Sequence, residues 1–346
     1  MKLFQYILFL ILATGCSNTK QPEKETHSNP ETLFLIKEDS IQYLDKEGNP
    51  LFSLPKIQIE NYTLSSTTHL AFVSELSKYD TLVFNKLSGA TSDVIKYSSN
   101  ETFLNKVSQN KIRNIGADGN LDYEFLSQIS AHFSVPYYYE NKANTIGNTK
   151  CLNYPVYEWM ENTPLARAEW IKVFASLLSN KETGDTIYYI IKRKYEKEKV
   201  CSLDSNCIKV IVGEPYQGVW YAALPNSYIG TLIKDAGAVL VSKPTDNKEV
   251  STPIDIEEAI FLFKDADVWI NVSHNTIEEL TNTLPFCKDF KSVKNGMVFS
   301  NMGKVKDGTR NEYWESAVVN PDRILKDIKH SIHNQPDSLY YFKKLY

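Results

Sequence analysis

Apolar and polar residues alternate through TLFLIKEDSIQYLDKEGNPLFSL (32–54) around Gly48-Asn49-Pro50, which predicts a hairpin. KIQIENYTL (56–64) predicts a strand that ends at Ser65-Ser66-Thr67-Thr68, whose hydroxyls suit the cap of a helix beginning at His69. DTLVF (80–84), KIRNIG (111–116) and VPYYY (135–139) read as short strands, with LDYEFLSQI (121–129) as a helix between the last two. ENTPLARAEWIKVFASLLSN (161–180) reads as one helix. Thr163 is its cap, Pro164 takes the first helical position and Asn180 stands at its end, and a broad apolar face includes Ala168, Ile171, Phe174 and Leu178. TGDTIYYIIKRKYEKEK (183–199) is a second helix whose later half is so charged that only one stripe can be covered, as suits a bridge between two bodies.

A second series follows. IKVIV (208–212), AVLV (238–241), DVWINV (267–272) and MVFS (297–300) are its strands; NSYIGTLIKDAG (226–237), IEEAIFLFKDA (256–266) and PDRILKDIKHSI (321–332) are its helices. Strands alternating with helices predict an α/β protein of two lobes, each a mostly parallel sheet flanked by helices, joined by a single long α-helix. The expected boundaries are 32–180 for the first lobe, 181–200 for the connecting helix and 201–346 for the second lobe. Between the strand at 208–212 and the helix at 226 lie Glu214, Pro215, Gly218, Pro225 and Asn226, so Trp220 and Tyr221 are expected on a loop. There they either fold back on a core or face a ligand.

Ahead of the lobes, Lys2 precedes the apolar run FQYILFLILA, too short for the roughly 20 residues of a membrane-spanning helix. It reads as the hydrophobic region of an export signal, residues 1–16. The polar stretch SNTKQPEKETHSNPE (17–31) reads as a flexible tether. The chain's 346 residues carry a net charge of −4 without a basic cluster, which gives no footprint for nucleic acid. Of the cysteines beyond residue 16, Cys201 and Cys207 bracket SLDSN and could close a small disulfide in an exported protein. No histidine stands at metal-ligand spacing from a cysteine, and no HExxH or GxSxG motif suggests an enzyme.

Gly15-Cys16 resembles a bacterial lipobox, with Ala13 in place of the usual Leu, which implies a lipid on Cys16. Further on, LSSTTHLAF, NLDYEFL, YEWMENTPLARAEWIKVFASL, GVWYAALPNSYIGTLIKDAGA, IEEAIFLFKDADVWI, NEYWESAVVNPDRILKDI and YYFKKLY follow in order. From about Lys56 to Tyr346 this resembles the periplasmic substrate-binding lipoproteins of ABC importers for vitamin B12, ferric siderophores and haem. SAHFSVPYYY and ALPN depart from the family's usual Pro-Asp-Leu-Val and Pro-Gly-Gly-Asn stretches. The resemblance implies an exported, lipid-anchored capture protein for a metal chelate, with no cofactor of its own, that delivers cargo to a permease dimer with its ATPase.

In that fold the loops at the strand carboxyl ends face each other across a cleft, in keeping with the general rule for open α/β sheets. The resemblance therefore implies ligand contacts from Thr68, His69 and Tyr139 in the first lobe. From the second lobe it implies Tyr216, Trp220, Tyr221, Arg310 and Trp314, with Arg310 suited to an anionic group. Glu124 and Glu258, with Glu257 one residue off, are implied as the carboxylates that dock on the permease. Two alternatives remain at this point. One is a zinc- or manganese-binding protein of the same architecture, for which His69, His132 and His274 are the available ligands; the other is a surface lipoprotein without transport.

Overall fold

The computed structural model describes residues 32–117, 119–136, 145–200, 207–244 and 250–346. The signal, Cys16 and the tether lie outside the described residues. So do Tyr139 and Cys201, and with Cys201 the expected disulfide to Cys207.

Two five-stranded sheets organise the molecule. The first runs in the order Leu152–Pro155, Ala131–Ser134, Tyr62–Leu64, Leu87–Ala90, Arg113–Asn114, all parallel. The second runs Val239–Leu240, Lys209–Val212, Val268–Val272, Val298–Ser300, Lys343–Lys344, parallel except for the last strand. The predicted hairpin forms by pairing Ser40–Leu44 with Pro50–Pro55, and a third strand, Phe34–Ile36, completes an antiparallel sheet against the first lobe.

The helix predicted over 161–180 is two helices, Pro164–Glu169 and Ile171–Leu178, that meet at Trp170. Thr163 caps the first as expected, its hydroxyl accepting from the Ala166 N–H at 3.1 Å. Asn180 caps the following helix instead, accepting from the Thr183 N–H. That helix, Lys181–Glu198, is the connector. Its Ile187, Tyr188 and Ile191 lie in the first lobe's core, whereas Tyr195 lies in the second lobe's core and its hydroxyl donates to Asp235 at 2.7 Å. Gly184 lets the connector approach its neighbour closely, since a Cβ there would come within 2.6 Å of the Ala175 Cβ. The lobes also share core residues elsewhere: Val318 and Val319, from the chain beyond the second sheet's main strands, are buried in the first lobe's core.

Three expectations are corrected. DTLVF is a helix, Thr81–Asn85, because the Asp80 carboxylate caps it by accepting from the Leu82 N–H; the strand follows at Leu87–Ala90. Its Gly89 hides that strand from an apolar pattern but permits close packing, since a Cβ would meet Ile115 at 2.8 Å. The sheet strand in this region is Ala131–Ser134, upstream of the one expected at 135–139, of which 137–139 lie outside the described residues; its apolar residues and His132 are buried between sheet neighbours. Residues Trp220–Ala223 form a strand rather than a loop, paired antiparallel with Ser251–Ile254. Among the described residues no helix is long and apolar enough to cross a membrane.

Candidate functional site

Between the lobes, two adjoining chambers share Ser66 and Trp314. The larger, of about 300 Å³, is lined by Ser65, Ser66, Thr67, Asp93, Tyr97 and Asn311 among others, and the second, of about 280 Å³, includes Thr68, Glu158, Trp159, Arg167 and Tyr228. The first-lobe rim is built by the chain leaving the central strand Tyr62–Leu64. There the Ser66 hydroxyl caps the helix Thr67–Ser77, accepting from the Thr68 N–H, and lies 2.8 Å from the Thr68 hydroxyl. The Thr68 hydroxyl donates onward to Glu158 Oε1 at 2.6 Å. From the same rim the Thr67 hydroxyl donates across the junction to the Trp314 carbonyl, and Trp314 lines both chambers. Tyr97, Trp159 and Trp314 remain exposed there, a set of flat faces beside polar groups and apolar side chains such as Val135, Val318 and Ile324.

Burial lifts the Glu158 carboxyl above its ordinary range, against the Thr68 hydrogen bond and the nearby Arg167 charge. Arg167 donates to the carbonyls of Glu161 and Trp159 and lies 4.0 Å from the centre of the Tyr228 ring, a cation–π contact. It is the cation that lines the two chambers among the described residues.

The residues named from sequence divide sharply. Thr68 and Trp314 line the chambers. Trp220 does not: it is 1% exposed, packs on Phe263 and Trp269, and its indole N–H donates to the Val212 carbonyl. It is a core residue because its side chain alternates inward on the strand, while Tyr221, its neighbour, points to the exposed face. His69 is likewise withdrawn from the rim, fully buried near Phe174 with neither ring nitrogen hydrogen-bonded. Tyr216 and Tyr221 are exposed but line neither chamber. Arg310 sits at the lobe junction with its guanidinium engaged by Asp307 at 3.1 Å and the Lys96 carbonyl at 3.4 Å, and it lines neither chamber.

The three histidines available for a metal do not converge. His69 and His132 are buried in the first lobe, the latter 2.7 Å from the Thr63 hydroxyl, and His274 pairs with Glu214 at 2.6 Å in the second. Among the described residues no group of three or more His, Cys, Asp or Glu could hold a metal ion.

Glu158, Arg167 and Tyr228 escaped the sequence reading. The signal for Glu158 and Arg167 is present in YEWMENTPLARAEW, where a single Arg stands among small apolar residues in the first turns of a buried helix, whereas Tyr228, at the start of a separate helix, carries none. A charge kept on such a face has to be held by something, here two carbonyls and a ring.

A two-lobed α/β molecule with its cleft at the strand carboxyl ends and one bridging helix has close structural counterparts. A periplasmic binding protein from Veillonella parvula matches with a TM-score of 0.57 at 16% identity, over 83% of this chain and 95% of that one. The chain has the class III binding-protein fold. A petrobactin-binding protein from Bacillus subtilis shares this fold with a TM-score of 0.56 at 13% identity, over 86% of this chain and 99% of that one. In sequence, an uncharacterized lipoprotein of Methanocaldococcus jannaschii is 25% identical over 315 residues, 87% of this chain and 72% of that protein. No family model matches the chain.

Proposed function

We propose that this protein is the substrate-binding lipoprotein of an ABC importer, which captures a metal chelate between its lobes and delivers it to a membrane permease. The observation that carries this reading is the pair of chambers joined at Trp314, because flat exposed rings beside a few polar groups suit a bulky planar or aromatic chelate. The fold supports it, since the proteins that share the fold include one named for binding petrobactin. The lipobox-like Gly15-Cys16 and the similarity to a lipoprotein support export and anchoring through Cys16. Lobe boundaries at 180 and 200 are part of this reading, supported by the helix Lys181–Glu198 between them.

Glu124 and Glu258 are proposed as the docking carboxylates. Glu124 is exposed in the first turn of the short helix Tyr123–Leu126, and Glu258 occupies the first turn of Ile256–Phe263. Glu258 pairs with Lys243 at 2.7 Å, whereas Glu257 beside it is exposed. The docking surface on the second lobe therefore includes Glu257.

The test is a fluorescence-quenching titration of protein lacking residues 1–16 with cobalamin, haemin and ferric siderophores, for which Trp159 and Trp314 are the reporters. Saturable quenching by one of these supports transport. Quenching by none, together with stoichiometric zinc or manganese surviving dialysis, would favour a free-ion carrier. The scattered histidines argue against that outcome.

A further inference from the structure

The second chamber contains a carboxyl oxygen with nothing to bond. Glu158 is 4% exposed, its Oε1 takes the Thr68 hydroxyl, and its Oε2 is buried without a hydrogen-bond partner. Such a group stands out in a native structure, where buried polar atoms are nearly always satisfied. Arg167 lines the same chamber, and among the described residues no carboxylate pairs with it. Its two carbonyl contacts use only part of a guanidinium that has five N–H groups. The first-lobe side of the chamber thus offers both an acceptor and a donor, and the surfaces around them are Trp159, Tyr313, Trp314, Val318 and Ile324.

We propose that Glu158 and Arg167 form a two-point subsite for an uncharged ligand group that donates and accepts at once, of the carboxamide type, and that the cargo carries little net charge. This rests on the transport reading and narrows it. A carboxamide N–H satisfies Glu158 while its carbonyl takes an N–H of Arg167, and neither contact buries an uncompensated charge. A polyanionic chelate meets the opposite situation. It would bring several negative charges to chambers lined by one cation and by the carboxyls of Glu158 and Asp93. Arg310, the other guanidinium at the junction, is already paired with Asp307.

The experiment measures affinities of the protein lacking residues 1–16 for four probes. Cyanocobalamin and ferrichrome carry amide N–H and carbonyl groups and no net charge, whereas haemin and ferric enterobactin are net anions with several anionic oxygens. The expected result is that a neutral probe binds at least about tenfold more tightly than either anion. Glu158→Gln removes the negative charge at nearly constant volume and should narrow that preference by about tenfold, and Arg167→Gln should weaken the neutral probe by about tenfold. Thermal melts establish that each variant is folded, and either variant alone suffices for the reading. If an anion binds most tightly and Glu158→Gln leaves the preference unchanged, the protein is a transport protein but the subsite is not as proposed. If none of the four binds, the transport reading itself fails and takes this inference with it.

Discussion

The Glu315 carboxylate, in the helix Tyr313–Ser316, accepts hydrogen bonds from both the backbone N–H and the hydroxyl of Ser99, at 2.6 and 3.1 Å, across the junction of the lobes. A charged acceptor serving a buried N–H is worth more than an ordinary hydrogen bond. Glu315→Ala should therefore lower stability by about 1.5–3 kcal/mol, read from urea denaturation. Native-state hydrogen exchange at Ser99 should rise in the same variant. Unchanged exchange at Ser99 would mean that the contact does not hold the lobes together.

Trp220 and Trp314 should behave oppositely. Trp220→Ala removes a ring packed on Phe263 and Trp269 and should cost about 3–5 kcal/mol. Trp314→Ala removes a ring that is 57% exposed and should change stability by no more than about 1 kcal/mol while weakening ligand by about tenfold. Calorimetry and titration on both variants separate the two roles.

Acid should destabilise the first lobe through its buried histidines. Burial, with His132 close by, holds His69 down to about 3, and burial holds His132 down to about 4, whereas either would titrate near 6.5 in the unfolded chain. Both folded values are depressed, so the unfolded state binds more protons below pH 6.5. Stability is then fully present above about 6.5 and is lost as pH falls towards the folded values. Between pH 6.5 and 5 the loss amounts to about 2 kcal/mol per histidine. Glu161 works the other way, its carboxyl pushed up to about 7 by burial, so the informative quantity is a difference between proteins. His69→Leu should lose less stability than the parent over pH 7 to 5; equal losses would remove His69 from this account.

Docking can be separated from capture. Glu124→Lys combined with Glu257→Lys and Glu258→Lys should leave ligand affinity in solution unchanged and abolish ligand-dependent growth, with partial variants more sensitive to salt. Normal uptake by the triple variant would remove these carboxylates from the docking surface.

Anchoring is tested at the other end of the chain. Cys16→Ser should move the protein from the membrane fraction to the soluble fraction without altering its melting temperature. Acylated variant protein in membranes would contradict the lipobox reading.

The architecture was legible because it is written in periodicity and caps. The connector's half-charged pattern foretold a bridge, and the structure has its Ile187 and Ile191 in one core and Tyr195 in the other. The cleft residues were less legible, for physical reasons. Trp220 and Tyr221 are adjacent in sequence, but strand alternation sends one into the core and the other to the surface, and a turn-rich flank conceals that. His69 stands one residue from Thr68, yet the helix turns it inward while Thr68 faces the cleft. Glu158 and Arg167 matter because of what packs around them, which no spacing rule encodes.

Val318 and Val319 bear on how far the two lobes can part. They are buried in the core of the opposite lobe, so any opening that parts the lobes there must wet both side chains. At about 1.5–3 kcal/mol for each valine, that opening is disfavoured by at least about a hundredfold before any other contact is counted. The walls of the cleft are thus tied in place by these two side chains, and on the transport reading proposed above a ligand would meet a largely preset space. Parting the walls further requires work from outside the molecule, so on the same reading release, not entry, would be the step that costs free energy.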